Sequence, residues 1–523
     1  MLEDAFHVYD TTLRDGSQRE GLSLSVHDKL TIARHLDDLG VGFIEGGWPG
    51  ANPKDAEFFR RARTELDLRT ATLAAFGSTR RPGGVAAEDL AHLRDSGAPV
   101  ATLVAKSDVR HVERALRTTR EENLAMVRDS VAHLVGEGQR VFLDAEHFFD
   151  GWRADKAYAL EVLRVAAEAG ADVLVLCDTN GGMLPAQLAD VVGAVVADGL
   201  RVGIHAHNDT ACAVANSLAA IGVGATHVQG TANGYGERCG NADLFSVVAA
   251  LEDKLDRRVL PDGRLAELGR VSHAIAEVAN IAPDAHQPWV GASAFAHKAG
   301  LHVSAIKADP DLYQHTDPVV VGNDMRLLVS ELAGRATVEL KGKALGLEPD
   351  SATVLAVLDR VKELESVGYS FEAAEASFEL LLRDHMGLRP RYFELESWRV
   401  IVEHREGAVV SEATVKLHAQ GARIIATGEG NGPVNALDVA LRQGLTELFP
   451  QLASFDLVDY KVRIVSGAHG TDAVTRVLVE TSDGTTEWST VGVHENVIEA
   501  SWQALEEAYT AGLLRQGTAG LGE

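Results

Sequence analysis

Eight short β-rich runs, each followed by an amphipathic helical stretch, fill the first half of this chain and leave few folds open to it. The runs are Val8–Gly16, Val41–Gly50, Leu68–Gly77, Pro99–Ser107, Arg140–Phe148, Ala171–Gly181, Arg201–Asp209 and Thr226–Gly234. Between the first two lies Val26–Gly40, whose apolar residues recur at helical spacing and which stops at a glycine. Eight strand–helix units in about 250 residues predict an α/β fold, a (β/α)8 TIM barrel. The rival, a doubly wound open sheet, would need a Gly-rich dinucleotide loop after the first strand, and there is none.

The polar residues gather where such a barrel does its chemistry. Arg14 and Asp15, Glu146, Asp178 and Thr179, and His205 with His207 all sit at or just beyond the C-terminal ends of their strands. Side chains alternate along a strand, so His205 and His207 point to one face. Two imidazoles suit a first-row divalent metal, and Asp15 can add an oxygen; a histidine that only packs inside the barrel is the plain alternative. Arg14 next to that carboxylate is placed to stabilise charge on a substrate oxygen, or simply to pair with Asp15. Glu146 is a candidate acid, base or positioning group. The loop Asn233–Asn241 is glycine-rich, which allows close backbone approach to a ligand.

Past the barrel, predicted to span 1–260, the pattern is mostly helical. A Gly- and Pro-containing irregular stretch, Ile281–Gly300, lies within it. Residues 261–370 are expected to form a helical linker subdomain covering the active site. From Phe393 the order is strand, strand, strand, helix, ending in Pro433–Phe449. It then repeats as Leu457–Gly467, Ala473–Asp483, Thr486–His494 and a helix over Asn496–Leu513, with Asn435 and Asn496 in similar places. Two βββα units predict a pseudo-symmetric α+β domain over 371–523, suited to pairing or ligand sensing.

Composition narrows the function. A net charge of −27 argues against nucleic acid as a partner, so any anionic substrate must be met by local cations or a metal. No apolar run approaches the ~18 residues of a membrane span. Met1–Tyr9 carries acidic residues and no long apolar stretch, which argues against a secretory signal. Cys177, Cys212 and Cys239 lack zinc-like spacing and fit a reduced, cytoplasmic compartment.

Four segments carry a resemblance. Asp10–Gln18 reads DTTLRDGSQ, His205–Asp209 HAHND, Asn233–Ala242 NGYGERCGNA, and His297–His302 HKAGLH. In that order they resemble the DRE-TIM metallolyase superfamily, and within it the branch of 2-isopropylmalate, homocitrate and citramalate synthases. The likeness covers nearly the whole chain, since the two βββα units look like that branch's regulatory domain. Gly46–Asp55, GGWPGANPKD, points to the members that use pyruvate.

The resemblance implies condensation of acetyl-CoA, as co-substrate, with pyruvate, and thioester hydrolysis, on a route to isoleucine. 2-Oxoisovalerate as the oxo acid, a lyase or carboxyltransferase on the same barrel, and a non-catalytic amino-acid sensor are the alternatives. It implies that Asp15, His205 and His207 hold a divalent ion (Mg, Mn, Co or Zn), with Asn241 as a nearby ligand or as a group that supports the ligands. Arg14 would face the keto oxygen, Thr179 the substrate carboxylate, and Asp144 the same substrate side. Glu146 and His302 would share proton transfers. Asn208, Asp209, Gly234 and Gly236 would border the acyl-CoA, with Gln18 close by. It also implies a homodimer through the C-terminal domain and isoleucine as effector. There are two departures. Thr210 and Ala211 stand where the branch usually has a small residue and a glycine, so a local shift of that loop is expected. A helper tyrosine of related synthases has Tyr313 as its nearest candidate, for which ordinary burial is the expectation. Trp48, Phe76 and Lys106 are the expected lining of the oxo-acid pocket.

Overall fold

A computed structural model describes residues 5–405, 407–465, 473–518 and 520. The chain divides into two compact units, 1–295 with 316–324, and 296–315 with 325–523.

The first unit is a closed barrel of eight parallel strands in sequence order. They are β1 (His7–Asp10), β2 (Phe43–Gly47), β3 (Thr72–Ser78), β4 (Val100–Lys106), β5 (Arg140–Glu146), β6 (Val173–Asp178), β7 (Val202–Ala206) and β8 (His227–Gly230), and β8 pairs back onto β1. Six predicted runs contain their strands whole, while the first misses His7 of β1 and the third misses Ser78 of β3. The first helix, Val26–Leu39, shows why local signals sufficed. Ser25 and Asp28 form a reciprocal capping box at its start. Gly40 ends it at φ 98°, where an added Cβ would strike Pro261.

Outward-facing strand residues such as Ile44, Leu103, Leu143, Leu176 and Ile204 pack beneath the helices in one large core. Inside the barrel lies a smaller apolar cluster, Tyr9, Phe43, Ala74, Val100, Phe142, Val173, Val175 and Cys177. Gly203 on β7 leaves room for the buried His227, since a Cβ there would sit 2.9 Å from that ring. The apolar layer floors the functional end: climbing β5, Phe142 is followed by Asp144 and then Glu146 on the same face. The irregular 281–295 stretch belongs to this unit, with Val290 and Phe295 in its core.

The second unit contains two three-stranded antiparallel sheets, each backed by one helix. Glu394–Arg405, Ala408–Ala419 and Ala422–Gly430 precede the helix Pro433–Leu445. Asp456–Ile464, Thr475–Ser482 and Glu487–His494 precede Val497–Arg515. The end of the predicted strand Leu457–Gly467, 466–467, lies outside the described residues. One core joins the two halves, and Tyr509 of the second donates to Asp438 of the first at 2.6 Å. The two asparagines are not equivalent. Asn496 is the N-cap, accepting from the N–H groups of Ile498 and Glu499. Asn435 instead sits inside the first turn, behind Gly432 and Pro433, and accepts from the N–H of Asn431. Proline at the first helical position needs no partner for a backbone N–H, which removes one demand on the cap.

Among the described residues no helix is long and apolar enough to cross a membrane, and the three cysteines are unbridged.

Candidate active site

The site lies at the C-terminal end of the barrel. A cavity of about 490 Å³ is lined by residues at the ends of all eight strands or in the loops that follow them, including Arg14, Asp15, Glu146, Thr179, His205 and His207.

Asp15 follows β1 at the start of a short 3-10 turn, and its carboxylate meets both histidines of β7. Asp15 Oδ2 lies 3.2 Å from His205 Nε2 and 3.7 Å from His207 Nε2. All three side chains are buried, and their ligand atoms fall within 4.8 Å of one another. Asp15 Oδ2 makes no hydrogen bond of acceptable geometry, and the buried Oδ1 of Asn241, paired in a β-bridge with His207, has none either. A buried acceptor left alone costs about 1–3 kcal/mol. Two such oxygens beside two imidazole nitrogens are the donor set a divalent cation satisfies, so these residues fit a metal.

Neighbours aim the ligands. His205 Nδ1 lies 2.9 Å from Gln229 Oε1, and Gln229 Nε2 donates to Asp144 Oδ1 at 2.9 Å. That relay places the His205 proton on Nδ1 and leaves Nε2 facing Asp15. Burial tends to raise the Asp15 carboxyl, but the Arg14 guanidinium and the two histidines outweigh it and hold it well below the usual range. His207 is pushed down to about 4 by burial and by His205, so its imidazole is neutral, as a ligand must be. Burial and then the charge of Glu45 push Asp144 up to about 7.

Arg14 is fixed on three sides. Its Nε donates to Glu45 at 2.6 Å, its Nη1 to Asp15 at 3.0 Å, and it stacks on Phe76 at 3.9 Å. Its second terminal amino group remains for a ligand. Trp48 packs edge-on against Phe76 at 5.3 Å, closing one side of the cavity. Glu146 is ion-paired to Lys106 across β4 and β5. Thr179 Oγ1 accepts the backbone N–H of His147 at 2.8 Å, which frees its own hydroxyl hydrogen to donate into the cavity.

The structure brings together Arg14, Asp15, Gln18, Asp144, Glu146, Thr179, His205 and His207 as lining, with Trp48, Phe76 and Lys106, and puts Asn241 against His207. Asn208, Asp209, Gly234 and Gly236 are not lining residues. Asn208 caps a turn by accepting from Ala213, and Asp209 pairs with Arg238. Gly236, at φ 157°, lets its loop pass the Asn241 amide, which a Cβ would meet at 2.3 Å. Asp178 also leaves the site. Its carboxylate accepts the N–H groups of Gly182 and Met183, securing the loop after β6.

His302 belongs to the second unit, on the helix Gly300–Ala308, where its ring stacks on Tyr313 at 4.2 Å. Tyr313 is 41% exposed, contrary to the expected burial, because it follows a 3-10 turn that buries none of its residues. The loop after His207 keeps its turn: Ala211 takes φ 57°, the conformation a glycine would supply, and bonds back to Asn208. The left-handed backbone costs an alanine about 1–2 kcal/mol that a glycine would avoid.

Three contributors escaped the sequence reading. Glu45 and Gln229 are single polar residues inside strand runs at inward-facing parity, a signal that period-two counting could have caught. Arg238 is a member of the Gly-rich loop; it reaches the Thr179 carbonyl at 2.9 Å and His207 Nδ1 at 3.2 Å, which only coordinates could show.

Comparison with known proteins places the whole chain among relatives of one kind. Residues 5–275 match the family described as HMGL-like, 289–368 the homocitrate synthase post-HMGL domain, and 372–513 the LeuA allosteric (dimerisation) domain. The chain is 67% identical to a protein of Streptomyces coelicolor named (R)-citramalate synthase, covering 99% of this chain and 98% of the relative. Proteins of the same name from Synechocystis and Aquifex aeolicus are 50% and 47% identical, each match covering at least 96% of both chains.

Proposed function

This chain belongs to the (R)-citramalate synthase family, and from that membership we propose that it condenses acetyl-CoA with pyruvate to give (R)-citramalate and CoA. The observation that carries the reading is the convergence of Asp15, His205 and His207 beside an immobilised Arg14 in one cavity. A divalent cation held by those three residues, with Asn241 alongside, would make the keto group of the oxo acid more electrophilic.

The chain's own residues supply the remainder. Arg14 donates from its remaining amino group to the keto oxygen that becomes the alkoxide, and Glu45 and Asp15 keep it aimed there. Thr179 offers its hydroxyl hydrogen to the pyruvate carboxylate. Glu146 takes a proton from the methyl carbon of the thioester, with Lys106 stabilising its carboxylate. His302 is the second proton-transfer candidate, separable from Glu146 by comparing the two alanine variants. Phe76 and Trp48 confine the alkyl side of the oxo acid, which favours a methyl group over a branched chain. Hydrolysis of the thioester releases CoA and draws the reaction forward.

We read the enzyme as a cytoplasmic homodimer joined through residues 371–523, acting on the way to isoleucine and inhibited by it. The LeuA dimerisation match supports the pairing. The deciding experiment supplies acetyl-CoA with pyruvate, 2-oxobutanoate and 2-oxoisovalerate over a panel of divalent metals. Metal-dependent CoA release with pyruvate, and (R)-citramalate by chiral chromatography, is the expected result. Preference for 2-oxoisovalerate would transfer the chain to the 2-isopropylmalate reaction. No CoA release with any oxo acid would leave the sensor reading.

A further inference from the structure

A second cavity, of about 480 Å³, opens on the same rim and is lined by Arg110, His111, Arg114, Ala115, His147 and Asn180. These residues come from the loops after β4, β5 and β6 and from the short helix Val109–Arg114. The two cavities share a wall. Glu146 and Thr179 line the first, and the residues next in sequence, His147 and Asn180, line the second.

The lining is two guanidiniums, two imidazoles, one amide and no carboxylate, in a chain whose net charge is −27. Asp108 anchors Arg110 by accepting from Nε at 3.0 Å and Nη2 at 2.5 Å, so one terminal amino group stays open. The exposed Arg114 guanidinium makes no ion pair among the described residues. His111 and His147 stack at 3.9 Å. His147 adopts φ 56°, ψ 34°, a left-handed backbone rare for a residue with a Cβ, while its N–H holds Thr179. Its Nδ1 is buried without a hydrogen bond, 3.7 Å from Asp150 Oδ2. The backbone thus reverses within one residue, from Glu146 in the reaction cavity to His147 in the cationic one.

We propose that this second cavity binds the phosphates at the nucleotide end of the acyl-CoA, while the thioester end lies in the first. The inference rests on the acetyl-CoA reading above. An acyl-CoA carries its negative charge at one end of a long arm and reacts at the other, so two adjoining cavities suit its two ends. The protein's overall field repels such an anion, and guanidiniums are the groups that best recover phosphate binding against it. Contacts made equally in ground and transition state change KM and leave kcat alone.

The test compares the full-length protein with Arg114→Glu and with the double variant Arg110→Gln/Arg114→Gln, by titrating CoA and pantetheine calorimetrically. CoA binding should weaken roughly tenfold in either variant, and pantetheine, which lacks the nucleotide, should bind all three proteins alike. In turnover the same variants should raise KM for acetyl-CoA by a similar factor at unchanged kcat and unchanged KM for pyruvate. Equal CoA affinity in parent and variants overturns the proposal, and so does an equal loss for CoA and pantetheine. Failure of the acetyl-CoA reading looks different: the parent itself would bind no CoA.

Discussion

Replacing Gln229 by leucine asks how much of the metal site depends on a residue that touches no substrate. Leucine is similar in bulk and apolar, so the barrel interior stays filled while both polar contacts vanish. The His205 Nδ1 proton loses its acceptor at 2.9 Å, and Asp144 loses its donor at 2.9 Å. Each buried group left unpaired costs about 1–3 kcal/mol, so the metal-free protein should melt several degrees lower. The larger consequence concerns the cation. Without the relay the His205 ring can rotate or switch its proton to Nε2, the atom facing Asp15. Removal of such an orienting partner weakens metal affinity by roughly 10–100-fold, about 1.4–2.7 kcal/mol. The assay is calorimetric titration of Mn²⁺ or Co²⁺ into metal-stripped protein, with circular dichroism as the check on folding. Gln229→Glu, which keeps an oxygen for His205, should recover most of the affinity. If the leucine variant binds metal as tightly as the parent while Asp15→Ala does not, the relay has no hold on the ligand and the reasoning fails.

Arg14→Ala should retain the fold and metal affinity while kcat falls roughly 10²–10³-fold, read by thiol release; a drop below fivefold would deny it the alkoxide. Phe76→Ala removes the ring between Arg14 and Trp48, and should raise the kcat/KM ratio of 2-oxobutanoate to pyruvate about tenfold, within the ~1–3 kcal/mol an extra methylene commands. An unchanged ratio would place the alkyl pocket elsewhere. His227 is held neutral well below its ordinary 6.5 by burial first, then by His7, Arg201 and Arg140. Below pH ~6.5 the unfolded chain takes up a proton that the fold refuses, so this contribution is complete above that pH and is lost as pH falls, by about 1.4 kcal/mol per unit. His227→Gln should flatten urea stability between pH 6.5 and 5; an identical slope would contradict the assignment.

The barrel was legible because each strand run is bounded by helical periodicity and its polar residues cluster at one end. His205 and His207 could be named since parity fixes which way a strand residue points, and Arg14 and Asp15 since they follow β1 at the rim. Asp178 shows the limit of that argument. A carboxylate at a strand end can bond either into the cavity or to the amides of the next turn, and only the course of the Gly181–Met183 loop decides. Gln229 and Glu45 were hidden because they act through other residues and match no ligand spacing. The cationic rim was hidden for another reason: Arg110, His111 and Arg114 on the helix after β4 meet His147 from the loop after β5, through a left-handed residue that sequence does not announce.

β1 and β7 each border β8, the last strand to join the sheet. Asp15 and the two histidines therefore reach across the seam where the cylinder shuts, and a cation there fastens the beginning of the barrel to its end. Metal removal should accordingly loosen that junction before the rest, with hydrogen exchange accelerating in β1, β7 and β8 while β3 to β5 stay protected.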